Sequence, residues 1–255
     1  AWIKSDASDA SAVTTAARDN EVCPYYLAQE LVAWADVVVA DYNYYFDSSA
    51  ALYSAMVEHE WRVGVLVDEA HNLIERARAM YSAELKLSDV DALRRAVPEL
   101  KRTWMRLIRA WKSLDLTDAE SYRVLNDTPT KFLKALQKSS EEVGDYLAEH
   151  AEGAAPLRDF YFAAMHLLRR AETLDENSVF DLTCTTKRTR RGDAELVLRN
   201  VIPAPYIGPR LAAADSAVLF SATLTPVDFY RGMLGVAEDA TVLHVSSPFD
   251  STQLR

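Results

Sequence analysis

The chain has 255 residues, 49% of them hydrophobic and 26% charged, and these values are typical of a globular protein rather than a disordered or fibrous one. Twenty-eight basic and 38 acidic side chains give a net charge of −10, which excludes a generally basic nucleic-acid-binding surface but not local basic patches. The two cysteines exclude a disulfide scaffold. Because no apolar run approaches the roughly 20 residues of a membrane span, and the N-terminus lacks a signal-peptide pattern, we expect a cytoplasmic protein without membrane contact.

The first third of the chain predicts an α/β arrangement. A small, polar leader over residues 1–22 precedes a helix that begins at Pro24. The runs 37–40 and 63–67 are short, apolar and rich in valine, which is typical of buried parallel strands. Apolar residues at helical spacing follow the second run.

From about residue 86 to 174 the apolar residues recur at helical spacing, and we expect an all-helical insert there. Strand patterns return at 179–185 and 195–202, on either side of a basic turn, and predict a hairpin. Further strands are predicted at 217–220 and 241–245, with a helix between them. The predicted fold class is therefore α/β, with a partial parallel sheet interrupted by the helical insert.

The sharpest motif follows the strand at 63–67, where the sequence continues Asp68-Glu69-Ala70-His71. An aspartate at the carboxyl end of a buried strand can hold Mg²⁺ bound to nucleotide phosphates, and the next glutamate can orient or deprotonate the attacking water. The same acids would also suit the first turn of a helix, whose dipole favours negative charge. Because ligands of open parallel sheets bind at the carboxyl ends of the strands, we expect the strand ends near residues 41, 68 and 221 to meet.

The tetrad resembles motif II of the DEAH-type helicases of superfamily 2. Three further stretches narrow the resemblance to the XPD/DinG-type DNA helicases. Residues 23–26 with 35–44 resemble the segment that leaves that family's iron–sulfur domain, 220–226 resemble its motif III, and 246–249 resemble its entry into the second motor domain. The helical middle matches only by position, where the family inserts its Arch domain.

The resemblance implies an ATP-dependent DNA helicase that uses Mg²⁺ and ATP, acts on single-stranded or forked DNA, and works with repair or replication proteins. It divides the chain into five segments. These are the tail of the iron–sulfur region or a disordered leader (1–22), the first part of a RecA-like motor domain 1 (23–85), an Arch-like insert (86–174), the second part of motor domain 1 (175–235) and the start of motor domain 2 (236–255).

The resemblance also assigns roles to single residues. Asp68 would hold Mg²⁺ and Glu69 would act on the hydrolytic water, while His71 would link the nucleotide site to the hydroxyls of Ser221 and Thr223. Without the motif, His71 would be a surface histidine, and the two hydroxyl residues would cap the helix that follows them.

Cys23 would be the last of four ligands of a [4Fe–4S] cluster. Such a cluster needs four neighbouring thiolates, and the 22 residues before Cys23 contain none. Either its partners precede this sequence or this branch of the family lacks the cluster.

Basic residues concentrate in two places, each of which could line a path for single-stranded DNA or form an ordinary solvated face. The two tryptophans that interleave with the first group lie at heptad spacing, which favours core packing over base stacking. The candidate DNA-binding residues are Arg94, Arg95, Lys101, Arg102, Arg106 and Arg109 in the first group and Lys187, Arg188, Arg190 and Arg191 in the second.

A phosphate-gripping GxxxxGK[ST] loop does not occur among the 255 residues. We therefore expect a fragment of a longer helicase that does not hydrolyse ATP alone. Two alternatives stay open. One is a non-catalytic α/β and helical module that binds a protein or nucleic acid; the other is a Mg²⁺-dependent nuclease that adds Asp41 to the acid pair.

Overall fold

The computed structural model describes residues 9–114, 121–150, 155–184 and 194–246. Within these ranges most of the elements sort into two groups by what they pack against. Helices α1 (Ala10–Asp19) and α2 (Pro24–Val32) pack against each other, and none of their residues belongs to either core. The first group consists of α3 (Asn43–Phe46), α4 (Ala51–Glu58), β1 (Gly64–Val67), α5 (Leu73–Met80), α10 (Ala204–Ala213), β6 (Ser216–Leu219) and α11 (Val227–Leu234). The second consists of β2 (Ala83–Lys86), α6 (Leu87–Ala96), α7 (Lys101–Lys112), β3 (Tyr122–Val124), α8 (Thr130–Glu149), α9 (Ala155–Glu172), β4 (Ser178–Cys184) and β5 (Ala194–Asn200).

The parallel sheet of the first group has β1 and β6 as its strands in the described part of the chain. Gly64 pairs with Ser216 and Val67 with Leu219, so the carboxyl ends of the two strands lie side by side. The core of this group includes residues of both α5 and α10, and Leu73, Ala77 and Ile207 are fully buried in it. The α/β class with a partial parallel sheet is thus confirmed.

The contact between α10 and α11 depends on two glycines. Gly235 ends α11 with a φ of +65°, a left-handed conformation that costs glycine little. A Cβ atom at Gly235 would lie 2.7 Å from the carbonyl oxygen of Ala204, and one at Gly208 would lie 2.8 Å from the carbonyl oxygen of Gly235. The two helices approach this closely because neither position carries a side chain.

Two predicted strands are absent. Residues 37–40 and 241–245 have no regular secondary structure and pair with no strand in the described ranges. Val37 is 79% exposed and Val39 is 95% exposed, so the first segment is not buried either. Apolar, β-branched composition produces a strand only where a neighbouring edge completes the backbone hydrogen bonds, and composition does not encode that neighbour.

The predicted all-helical insert also needs correction. Helices α6 to α9 pack on a four-stranded antiparallel sheet with strand order β2-β5-β4-β3. The predicted hairpin is confirmed as β4 and β5, but its buried side chains join the core of these helices and not the parallel sheet. Packing therefore does not follow the predicted boundary at residue 175. A short β3 was missed because three residues show no reliable periodicity.

Buried aromatic residues form part of the core of the second group. Trp104 and Phe132 are fully buried, and each has a ring partner at right angles, Phe160 and Trp111 respectively. Both tryptophans of α7 are therefore core residues, as their heptad spacing favoured. No described helix is both long and apolar enough to cross a membrane.

Candidate nucleotide-hydrolysis site

Asp68 and Glu69 form a bulge directly after β1, next to the residue that follows β6. The backbone NH of Phe220 donates to the carbonyl of Val67 (3.0 Å), and the carbonyl of Phe220 accepts from the NH of Ala70 (3.1 Å). One residue of the β6 side thus faces both Val67 and Ala70, and Asp68 and Glu69 project from the ladder between them. We call residues 67–70 the acid turn.

Glu69 adopts an unusual backbone conformation, with φ +46° and ψ +42°. A residue with a side chain pays roughly 1–2 kcal/mol for this left-handed region, so neighbouring contacts must hold it there. The carboxylate of Asp68 accepts a hydrogen bond from the NH of Glu69 at 2.7 Å. Both acidic side chains remain exposed.

Ser221, just after β6, links three parts of the site. Its hydroxyl lies 2.8 Å from Nδ1 of His71, donates to Oε2 of Glu69 at 3.2 Å, and lies 3.3 Å from the hydroxyl of Thr223. The backbone NH of Thr223 donates to the same oxygen at 3.2 Å. The structure therefore brings Glu69, His71, Ser221 and Thr223 into one cluster, which we call the serine junction.

The hydrogen-bond directions in the serine junction follow from proton counting. A hydroxyl has one proton, and that of Ser221 is directed to Glu69, so its oxygen accepts from the NH of Thr223 and can also accept from His71 when Nδ1 carries a proton. Nδ1 of His71 also lies 3.2 Å from Oε2 of Glu69. The alternative role of the two hydroxyl residues as helix caps is not observed, since Pro226 is the N-cap of α11 and no side chain bonds the cap.

Two residues at this site were missed as contributors by the sequence interpretation. The hydroxyl of Tyr42 donates to the carbonyl oxygens of Asp68 (2.5 Å) and Glu69 (3.1 Å). Arg76 of α5 binds both carboxylate oxygens of Asp41 at 2.7 Å. The available signal was the position of Asp41 and Tyr42 directly after an apolar run, where a ligand-side residue is expected.

The chemical character of the acid turn fits a magnesium–phosphate group. Mg²⁺ usually keeps several waters and takes one or two carboxylates together with substrate phosphates, and Asp68 offers one exposed carboxylate beside a second acid. The ion pair with Arg76 lowers the pKa of Asp41 and occupies its carboxylate, which removes the third acid that the nuclease alternative required. Among the described residues, no cluster of three metal-ligating side chains occurs.

The other predicted site residues are dispersed. Cys23 is exposed at the start of α2, and Cys184 lies on β4 in the other sheet. In the first basic group, Arg94 pairs with Asp91 and Arg106 with Glu142, whereas Arg95, Lys101, Arg102 and Arg109 are exposed. The second basic group (Lys187, Arg188, Arg190 and Arg191) and residues 247–249 of the motor-domain-2 motif lie outside the described ranges.

Comparison with known proteins agrees with the motifs. The DEAD_2 family model matches residues 2–90. A regulator of telomere elongation helicase 1 homolog from Anopheles gambiae is 35% identical over 82 residues, which are 32% of this chain and 8% of that protein. The ATP-dependent DNA helicase CHL1 of Saccharomyces cerevisiae is 38% identical over 69 residues, or 27% of this chain and 8% of that protein.

The fold has a solved counterpart. A structure described as truncated XPD superposes on 95% of this chain and 68% of its own, with a TM-score of 0.58 and 18% sequence identity, which shows a shared fold. In each of the two helicase relatives from Anopheles gambiae and Saccharomyces cerevisiae, the part that this chain matches is about 8% of that protein's length. These matches support the resemblance to the XPD/DinG-type helicases of superfamily 2 that the motifs indicated.

Proposed function

We propose that this chain supplies the magnesium-binding and water-activating half of an ATP-hydrolysing DNA helicase. The observation that carries the proposal is the contact of Ser221 with both Glu69 and His71. A pair of acids after a strand is a common arrangement, but a hydroxyl from a second strand that reaches both the acid and the histidine gives the site a connection to another part of the sheet.

In this mechanism each residue of the site has a separate task. Asp68 holds the Mg²⁺, which neutralises charge on the phosphates when it is bound. Glu69 orients the attacking water and accepts its proton. Ser221 competes for the Glu69 carboxylate, so its donated hydrogen bond must weaken when Glu69 turns to the water.

The same hydrogen bonds provide a route for coupling. When the Glu69 carboxylate leaves Ser221, the hydroxyl proton becomes available to another acceptor, and the segment after β6 loses one of its attachments to the acid turn. The binding of nucleotide at one strand end is thereby communicated to the neighbouring one. We propose that this shift contributes to movement on DNA.

For DNA contact we propose the exposed cations of α6 and α7. Arg95, Lys101, Arg102 and Arg109 are exposed and have no acidic partner among the described residues, which suits attraction to phosphates. We also propose a division into a motor part that ends before β2 and an Arch-like unit that begins with β2 at Ala83. The β4–β5 hairpin is counted with that unit because it shares its core.

The test uses the full-length natural protein. Glu69→Gln should lower DNA-stimulated ATP hydrolysis at least about 100-fold, the usual contribution of a general base, and should abolish unwinding while nucleotide binding persists. Glu75→Gln is the matched control, because Glu75 lies in the next helix and pairs with Arg78 outside the site. Normal unwinding by the Glu69 variant would reject the role of Glu69.

A second experiment addresses the isolated 255-residue chain. We expect no measurable ATP hydrolysis from it, because these residues contain no phosphate-gripping loop. Robust DNA-stimulated turnover by the purified chain would contradict that expectation. A full-length protein that binds DNA but hydrolyses no nucleotide would favour the non-catalytic binding module.

A further inference from the structure

Tyr42 contacts the acid turn from the segment that precedes α3. Its hydroxyl donates to the carbonyl oxygens of Asp68 and Glu69, which lie 26 and 27 positions further along the chain. The ring of Tyr42 is partly buried. Its hydroxyl connects the segment before α3 to the residues that follow β1. The contact thus joins two parts of the chain that share no strand pairing.

The backbone of Tyr42 is held in place on both sides. Before it, Asp41 forms a two-oxygen ion pair with Arg76 of α5 and accepts a hydrogen bond from the NH of Asn43 at 3.2 Å. After it, the NH of Phe46 donates to the carbonyl of Tyr42 at 2.8 Å, and the Phe46 side chain is 2% exposed. Tyr42 is therefore a fixed donor rather than a loosely attached surface group.

The acid turn has a physical need for such a donor. Its bulge takes the carbonyls of Asp68 and Glu69 out of the strand ladder, because Phe220 bonds only to the residues on either side of them. The Glu69 carbonyl accepts one further hydrogen bond, from the NH of Asn72 at 2.9 Å. The left-handed backbone at Glu69 persists only where surrounding contacts compensate its cost.

We infer that Tyr42 is a positioning residue that fixes the direction of the Asp68 and Glu69 side chains by binding their backbone carbonyls. The inference rests on the proposed function, since it concerns the same acids. Tyr42 acts through the acid turn, and no contact with substrate is assigned to it. Together with the serine junction, it would hold the turn from two sides.

The chemistry of the hydroxyl suits a permanent donor. Burial raises the pKa of Tyr42 above its usual value, and the nearby carboxylates of Asp68, Glu69 and Asp41 raise it further. The group therefore stays protonated throughout the pH range in which nucleotide hydrolysis is measured. Ser221 and His71 also contact the acid turn, through the carboxylate of Glu69.

The test is Tyr42→Phe in the full-length natural protein, which keeps the ring and removes only the donor. We expect kcat for ATP hydrolysis to fall about five- to tenfold, the effect of removing one hydrogen bond that aligns the reacting group. KM for ATP should change less than twofold, because the phosphate-gripping groups are untouched. Tyr44→Phe is the matched control, since Tyr44 lies two residues further on in α3, is 47% exposed and should leave both constants unchanged.

The outcomes separate this inference from the proposed function. If the unaltered protein hydrolyses ATP and Tyr42→Phe has the same kcat, the positioning role is rejected while the helicase proposal stands. If the unaltered protein hydrolyses no ATP, the proposed function fails first. A thermal midpoint measured for each variant detects unfolding, and a drop in kcat that merely follows loss of folded protein would also overturn the inference. Arg76→Gln provides a second variant, and we expect the same split between kcat and KM with a smaller effect.

Discussion

Nδ1 of His71 lies 2.8 Å from the hydroxyl oxygen of Ser221, although 150 positions separate the two residues along the chain. The pairing of β1 with β6 brings them together, because it sets the acid turn beside the residue that follows β6. Through Ser221 the histidine is also connected to Thr223 and Glu69. Removal of the hydroxyl would abolish the contacts of all three with Ser221 and would leave His71 and Glu69 joined only by their own 3.2 Å contact.

We therefore expect Ser221→Ala to separate hydrolysis from movement. The variant removes the donor to Glu69 and the acceptor for His71, so ATP hydrolysis by the full-length protein should fall about five- to tenfold, while strand separation per ATP hydrolysed should fall further. The ratio of the two rates, measured on the same forked substrate, is the readout. Ser216→Ala, at the opposite end of β6, is the control and should leave the ratio unchanged.

Unchanged unwinding per ATP in Ser221→Ala would contradict the coupling role. Nitrogen chemical shifts of the imidazole give an independent check. In the unaltered protein Nδ1 of His71 should carry the proton, because the Ser221 proton points to Glu69. In the alanine variant that preference should weaken.

The ion pair between Asp41 and Arg76 should make the stability of the fold depend on pH. The hydrogen bonds from Arg76 hold the pKa of the Asp41 carboxyl below its usual 3.8. Because the folded-state pKa is lower than the unfolded one, the stabilisation is fully present above about pH 4 and is lost as the pH falls through the folded value. The stability difference between the unaltered protein and Arg76→Gln should therefore shrink on acidification below pH 4.

The measurement is an NMR titration of the Asp41 side-chain carboxyl. In Arg76→Gln its pKa should rise towards 3.8. Arg62→Gln is the matched control, because Arg62 forms a similar two-oxygen pair with Asp215 at 2.9 and 3.1 Å. The pKa of Asp41 should be unaffected by that change, and an Asp41 pKa that does not respond to the removal of Arg76 would contradict the assignment.

The sequence was sufficient to predict those elements that depend only on the pattern of nearby residues. The strand before Asp68, the hairpin of β4 and β5, and the amphipathic helices α7 to α9 all follow from spacing within a few residues. The meeting of β1 and β6 was predicted as well, because parallel strands align their carboxyl ends. These features need no knowledge of distant neighbours.

The wrongly predicted strands have one physical cause, which is that strand pairing depends on residues far apart in the sequence. Residues 37–40 have the composition of a buried strand but no strand lies beside them in the described ranges, whereas β2 pairs with β5 from more than 100 positions away. The hydroxyl of Tyr42 was missed for the same reason. Its acceptors are backbone carbonyls, which leave no trace in the residue types.

The exposed cations of α7 should contribute to binding of single-stranded DNA by charge. We expect the double change Arg102→Gln and Arg109→Gln to weaken binding and to reduce the slope of log K against log salt by about 1.4, or roughly 0.7 for each phosphate that is no longer neutralised. Fluorescence anisotropy with a labelled oligonucleotide at several salt concentrations measures both. Arg94→Gln is the control, because the Arg94 guanidinium already lies 3.2 Å from a carboxylate oxygen of Asp91.

An unchanged salt slope in the double variant would show that Arg102 and Arg109 face solvent and do not contact DNA phosphates. Weaker affinity at all salt concentrations, with the slope preserved, would likewise contradict binding to phosphates, because charge neutralisation must alter the slope. The comparison with Arg94 matters since both kinds of residue have the same charge. The guanidinium of Arg94 is paired and half-buried, whereas those of Arg102 and Arg109 are exposed and unpaired within the described part of the chain.

Trp104 provides the last test, because its neighbours assign it to the core and its sequence context suggested base stacking as the alternative. Its side chain is fully buried, its ring lies edge-on to Phe160 at 5.4 Å, and its indole NH donates to the carbonyl of Val97 at 3.1 Å. Trp104→Phe should therefore lower the free energy of unfolding by about 2 kcal/mol, because the indole hydrogen bond is removed and the smaller ring leaves space in the core. Urea unfolding followed by circular dichroism measures this.

The affinity of the folded Trp104→Phe protein for single-stranded DNA should be unchanged, since a ring without exposed surface cannot stack on a base. Phe162→Leu is the control for stability, because Phe162 lies on α9 but is 65% exposed and should shift the unfolding free energy by less than about 0.5 kcal/mol. A Trp104 variant with full stability and weakened DNA binding would reverse the assignment. Trp104 could then contact DNA only if α7 separated from α8 and α9 and exposed the core that they share.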